Sequence, residues 1–145
     1  MTDFVTTSLT GEALAVHLAA HGVTPTPQRL EIAEALFCKP QHLSAEQILA
    51  TVNHNGPRVS KATVYNTLRL FSEKGLVREV IVDPARVFYD PTTGSHHHFY
   101  NVDTGELADI SPDQVSFAHL PALPPETHQD GIEVIVRVRH GANKT

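Results

Sequence analysis

Apolar residues recur at helical spacing through the first half of the chain and alternate with polar ones in parts of the second, a pattern that predicts helices followed by strands. Ser8 or Thr10 is placed to cap a first helix running to Ala20, with Leu9, Ala13, Val16, Leu18 and Ala20 as its approximate apolar stripe and His21-Gly22 as its end. Thr24-Pro25-Thr26-Pro27 reads as a turn in which Thr26 caps and Pro27 takes the first helical position, where a missing amide hydrogen costs nothing. Leu30, Ile32, Ala33, Leu36 and Phe37 then carry a second helix to about Cys38, ahead of Pro40. Ser44-Ala45-Glu46-Gln47 is a capping box opening a third helix, which turns Ile48, Leu49 and Val52 inward and closes at Asn53-His54-Asn55-Gly56-Pro57. Ser60 caps a fourth helix through Phe71: Val64, Leu68 and Phe71 share its inner face, and Lys61, Thr63, Tyr65, Asn66 and Arg69 occupy the others.

Glu73-Lys74-Gly75-Leu76-Val77 stops that helix, and the strand-like runs Val77 to Val82 and Arg86 to Tyr89, joined through Asp83-Pro84-Ala85, predict a hairpin. Two successive capped helices followed by a hairpin make a winged helix-turn-helix, whose second helix would enter the DNA major groove; a generic helical bundle would carry no hairpin. After Asp90 the chain becomes histidine-rich, acidic and strand-forming. Phe99 to Val102, the turn Asp103-Thr104-Gly105 and Leu107 read as strand, turn, strand, and Pro112 starts a short helix through about Leu120. Pro121 to Pro125 is a loop, and 131–139 alternates Ile132, Val134, Val136 and Val138 with Glu133, Ile135, Arg137 and Arg139, a strand with one buried face. Three strands and a helix form a thin layer whose apolar face asks for a second copy. The expected fold is α+β: a winged-helix DNA-binding domain over 1–90, then a small α/β domain over 91–145 for homodimerisation and ligand sensing.

At 145 residues the chain suits one domain or two small ones, and it shows neither a membrane-spanning apolar run nor a secretory leader, so a soluble, cytoplasmic protein is expected. Cys38, its only cysteine, excludes an intrachain disulfide and a multi-cysteine zinc site. The net charge of −5 argues against nucleic acid until its distribution is considered. Between Pro57 and Arg78, five cations (Arg58, Lys61, Arg69, Lys74 and Arg78) face Glu73 alone, a local balance of +4 suited to phosphates.

His96-His97-His98 is the strongest chemical signal. Imidazole is the commonest metal ligand, and in an extended segment His96 and His98 point to one side and His97 to the other, giving a chelating pair and a ligand for a different site. Isolated histidines such as His17, His21, His54, His119 and His140 are read as ordinary surface or core residues.

Ser60-Lys61-Ala62-Thr63-Val64-Tyr65-Asn66-Thr67-Leu68, the Thr26 and Arg29 spacing, His42-Leu43-Ser44-Ala45-Glu46, and His96-His97-His98-Phe99-Tyr100 followed by Gly105 together resemble the ferric uptake regulator superfamily over nearly the whole chain. The resemblance implies metal ligands at His42, His96, His98 and Asp109, with His128 near a further ligand position. It also implies DNA contacts from the recognition helix, Tyr65 packing on a thymine methyl. Asn66 stands where relatives often have arginine and is suited to adenine; Arg29 and Lys61 go to phosphates, with Arg58 and Thr63 in the same surface. Thr24 lies near the place of the family's minor-groove lysine.

The departures point to a subgroup. Asn101 and Thr104 match the positions where many relatives hold structural zinc with a Cys-x-x-Cys pair, so no four-cysteine zinc is expected. Tyr89 matches the family's carboxylate before the histidine cluster, with Asp90 adjacent. A triple histidine without the cysteine knuckle looks like the iron response regulators, which sense haem, although Cys38 is followed by Lys39 and not by the proline of a Cys-Pro haem motif. The expected function is an iron-responsive repressor of promoter DNA sensing haem through His96, His97 and His98. The alternative is a divalent-metal (Fe, Mn or Zn) or peroxide sensor of the same fold. A metal-dependent enzyme is disfavoured, because the histidines follow a DNA-reading unit and no pocket motif accompanies them.

Overall fold

The computed structural model describes residues 9–141, so a cap at Ser8 lies outside the described residues. Secondary structure runs α1 (Glu12–Ala20), α2 (Pro27–Phe37), β1 (Leu43–Ser44), α3 (Ala45–Val52), α4 (Lys61–Glu73), β2 (Arg78–Asp83), β3 (Arg86–Asp90), β4 (His97–Asn101), β5 (Leu107–Ile110), a 3-10 turn at Pro112–Gln114, and β6 (Ile135–Val138). It is a mixed helix and sheet fold in two compact units, divided between Gly94 and Ser95. Residues after β3 are tied to the first unit: the Asp90 carboxylate accepts the Thr92 amide at 2.8 Å, and the Arg78 guanidinium donates to the Gly94 carbonyl at 3.1 Å. No described helix is long and apolar enough to cross a membrane.

Capping residues set the helix starts in the first unit. The Thr26 hydroxyl accepts the Arg29 amide with Pro27 at the first helical position; Ser44 and Gln47 complete both bonds of the capping box; Ser60 accepts the Thr63 amide at 3.1 Å. Gly75, at φ +76°, ends α4 in a conformation that costs a side-chain-bearing residue, and lets the Leu76 amide return to the Phe71 carbonyl at 2.9 Å. Asn53 fastens the turn between α3 and α4: its side-chain carbonyl accepts the amides of Arg58 and Val59, and its amide group donates to the Val59 carbonyl at 2.8 Å. Val64, Leu68 and Phe71 of α4 pack with Ile48, Leu36, Ile32 and Leu18 into one core.

Two expectations for α1 fail. It starts at Glu12 after Gly11, with no side-chain cap from Thr10. Its inner face is Leu14 and Leu18, one helical turn apart, which leaves Val16 on the outside and 68% exposed.

The three-stranded sheet of this unit has the order β1-β3-β2. The two-residue β1 was not expected; it pairs antiparallel with β3, Leu43 opposite Tyr89 and Ser44 opposite Phe88. The second unit has the order β5-β4-β6, β5 antiparallel and β6 parallel to β4. The helix expected from Pro112 to Leu120 is only the 3-10 turn, because Val115 turns extended and Phe117 and Leu120 are exposed, leaving no buried face to sustain a helix. The strand expected over 131–139 is confined to Ile135–Val138, where β4 supplies hydrogen-bonding partners.

Candidate metal centre and nucleic-acid interface

Strand register assembles the histidine chemistry of the second unit. On β4, His98 lies opposite Asp109 of β5, and His96, two residues earlier, shares its face. Both Nε2 atoms converge on Asp109 Oδ1, His96 at 3.5 Å and His98 at 3.4 Å. Ligand atoms placed tetrahedrally at 2.0–2.1 Å around a zinc-sized ion are separated by about 3.4 Å. Each histidine donor therefore stands from the carboxylate at the separation an ion requires, and farther than the optimum for a direct hydrogen bond. His98 Nδ1 lies 2.8 Å from Glu133 Oε2; a proton on Nδ1, shared with that carboxylate, leaves the Nε2 lone pair facing Asp109. This is the carboxylate–imidazole arrangement that orients metal-bound histidines. Imidazole and carboxylate donors suit Fe(II), Mn(II) or Zn(II).

His97 turns to the other face. Its Nδ1 accepts the Val134 amide at 2.8 Å, which puts the proton of the neutral ring on Nε2, and its ring meets Phe117 edge-on at 6.2 Å. His128 is exposed and outside the ligand group formed by described residues.

In the first unit the β1–β3 register continues outward to set His42 beside Asp90, with Nε2 3.2 Å from Oδ2. The carboxylate is almost wholly buried, its other oxygen held by the Thr92 amide, so a neighbour able to carry positive charge is a physical requirement. His42 also lies two residues before Ser44, the cap of α3. Asp90 and Glu133 were missed as site residues. Asp90 was legible only as the neighbour of Tyr89 at the family's carboxylate position, and Glu133 lies 35 residues from His98 with no local signal.

The expected DNA contacts fall into three groups within the first unit. Arg29, Thr63 and Asn66 line a small polar cleft of about 280 Å³ with Thr26, Gln28 and Thr67, and Arg29 donates to the Thr24 carbonyl at 3.0 Å. Lys61 and Tyr65 form a second group: the ammonium lies 5.9 Å from the ring centroid, and the Tyr65 hydroxyl donates to Glu46 Oε1 of α3 at 2.6 Å. That bond holds the Glu46 carboxyl below its ordinary pKa and raises the Tyr65 hydroxyl above its own. Arg58 stands apart, paired with Glu31 of α2 at 3.0 Å.

Against known proteins, the Ferric uptake regulator family matches over residues 20–120. The Peroxide operon regulator of Bacillus subtilis is 39% identical over 89 residues, 61% of this chain and 61% of that protein. The chain thus spans about three-fifths of the length of that relative. The ferric uptake regulator of Pseudomonas aeruginosa, solved with manganese, superposes with a TM-score of 0.65 at 22% identity, covering 89% of this chain and 98% of that one. The Vibrio cholerae ferric uptake regulator gives a TM-score of 0.67 at 23% identity, covering 86% and 98%. Both structures share the fold. The family consists of transcription regulators and not enzymes, and the match over residues 20–120 shows that this chain belongs to the ferric uptake regulator family.

Proposed function

We propose that the protein is a dimeric, divalent-metal-responsive repressor, in which the first unit reads promoter DNA as a winged helix-turn-helix and the second senses the ion and dimerises. The observation carrying this reading is the convergence of His96 and His98 on Asp109 at ligand spacing, with Glu133 orienting His98. His42, beside Asp90 within the first unit, is assigned as a further metal ligand. An ion held by His42 constrains the start of α3, the helix whose Glu46 grips the Tyr65 hydroxyl of α4, and thereby biases the reading surface.

Recognition falls to α4: Tyr65 and Asn66 read bases, Thr63 and Lys61 lie beside them, and Arg29 and Arg58 go to phosphates once Arg58 leaves Glu31. The B. subtilis relative is named for the peroxide response and the P. aeruginosa structure for manganese, which supports an ion as the resident signal carrier here.

A second reading retains haem as the signal, as in iron response regulators, and is favoured by Asn101 and Thr104 standing where relatives carry the cysteine knuckle. Against it, all three histidine rings are buried, at 1%, 7% and 0% exposure, and His97 Nδ1 is occupied by the Val134 amide.

Titration of the wild type and of His96→Ala/His98→Ala with Mn(II) and with haem, reading binding to a promoter duplex, separates the two. A metal-dependent gain in wild-type affinity that the variant loses, with haem inert, is expected. A haem response with no metal response would replace the first reading by the second, and a variant responding like wild type would remove sensing from this site.

A further inference from the structure

We propose that Glu46 is a positioning residue for DNA reading: by accepting the Tyr65 hydroxyl beside Lys61, it fixes the tyrosine ring for base contact and penalises binding to phosphate alone. The proposal rests on the DNA-binding reading of α4.

Glu46 and Tyr65 belong to different helices and lie 19 residues apart in sequence, so their bond is a tertiary contact. Its length of 2.6 Å is that of a charge-assisted O–H···O bond, the stronger class. Glu46 is exposed, on the first turn of α3, where its charge suits the helix dipole without needing Tyr65. Lys61 completes the group: it lies over the Tyr65 ring and within electrostatic reach of Glu46.

A carboxylate on a surface meant for phosphates repels every DNA sequence alike and offsets part of the attraction of Lys61. On the right sequence two gains compensate. The ring, held by its hydroxyl, is already oriented for a thymine methyl, so less rotamer freedom is lost on binding; the second carboxylate oxygen can accept from a cytosine or adenine amino group. Glu46 thus lowers general affinity more than specific affinity, which widens the ratio between them.

The test uses the full chain, a duplex enriched by the wild type from a random-sequence pool, and a scrambled duplex of the same composition. Glu46→Gln keeps an acceptor for the hydroxyl and removes the charge. Scrambled-duplex affinity should rise about 3- to 10-fold at low salt, with the salt slope steeper by about one unit, while affinity for the selected duplex changes less. Glu46→Ala, which also frees the ring, should lower the ratio further. Without DNA, tyrosine absorbance titration should show the Tyr65 hydroxyl in Glu46→Ala ionising at lower pH than in wild type, because the hydrogen bond and the charge that raise it are both gone.

A wild-type ratio and salt slope in Glu46→Gln would overturn the proposal, as would a lower melting temperature with an unchanged ratio, which marks a structural role. An unmoved tyrosine titration would show that the contact does not form in solution and would equally overturn it. Enrichment of no sequence by the wild type would instead remove the DNA-binding reading, and the proposal with it; the titration, needing no DNA, tells the two failures apart.

Discussion

In the first unit, side chains from four helices and the sheet bury one another, and Ile32, Leu36, Ile48, Val64, Leu68 and Phe71 are wholly enclosed. In the second, only Tyr100 and Ile110 are buried among the described apolar side chains, and Phe99, Phe117, Leu120, Leu123 and Val136 are exposed. The first unit closes its own core. The second spends its enclosed positions on His96, His97 and His98 and leaves its apolar groups outward, an arrangement that serves chemistry and assembly better than independent stability.

The largest effect should separate the two along this line. Leu68→Ala removes a fully buried side chain and should cost about 3–4 kcal/mol, with the helical circular dichroism lost at correspondingly lower urea. The four α-helices among the described residues all lie in the first unit, so this signal reports that unit. Val136→Asp, at a position 38% exposed on β6, should leave the helical transition in place while sedimentation shifts to the mass of one chain. Loss of helix in Val136→Asp, or a variant still dimeric, would break the distinction between a self-sufficient unit and one that needs a second copy.

The difference also explains what the sequence disclosed. Thr26-Pro27, Ser44 with Gln47, and Ser60 act within a few residues of themselves, so the starts of α2, α3 and α4 were legible from the chain alone. The α1 cap and stripe were misplaced because Gly11 offers no side chain and Leu14 was left out of the pattern. His96 and His98 on one face followed from strand alternation, while Asp109 came from the family resemblance and sits opposite His98 in the β4–β5 register. Glu133 and Asp90 depend on pairings formed across the sheets, β1 being only two residues long and defined by its partner. The helix expected after Pro112 had good local signals, and the second unit provides no apolar seat for it.

Two asparagines refine the comparison at smaller magnitude. Asn53 closes the α3–α4 turn through three side-chain bonds, two accepted and one donated. Asn101 does similar work in the second unit: its carbonyl oxygen accepts the amides of Asp103 and Thr104, and its amide nitrogen lies 3.0 Å from His140 Nδ1. Asn53→Ala should cost about 2–3 kcal/mol because the partly buried Val59 amide loses its acceptor and the Val59 carbonyl its donor, and Asn101→Ala about 1 kcal/mol because its freed amides reach water. Urea unfolding followed by helical dichroism should respond to the first and barely to the second, with Tyr100 fluorescence in a Tyr65→Phe/Tyr89→Phe background reading the second unit. Equal loss of the helical signal in both would mean the units unfold together.

The smallest effect is a dependence on acid confined to α1. Burial, and secondarily the charge of neighbouring His21, hold the pKa of His17 below its ordinary value; its ring lies edge-on to Phe37 at 5.5 Å and to His21 at 4.6 Å. A histidine depressed in the folded state binds its proton more readily when unfolded, so its contribution is present above the unfolded pKa of about 6.5 and is lost as pH falls through the folded value. His17→Gln cannot take up that proton. The urea midpoint of the helical signal should therefore fall less between neutral pH and mild acid in the variant than in wild type. Contributions from groups other than His17 are common to both proteins and cancel in the comparison. Identical pH dependence in the two would show that His17 is as free to charge in the folded protein as in the unfolded chain, and that the acid response of the first unit arises elsewhere.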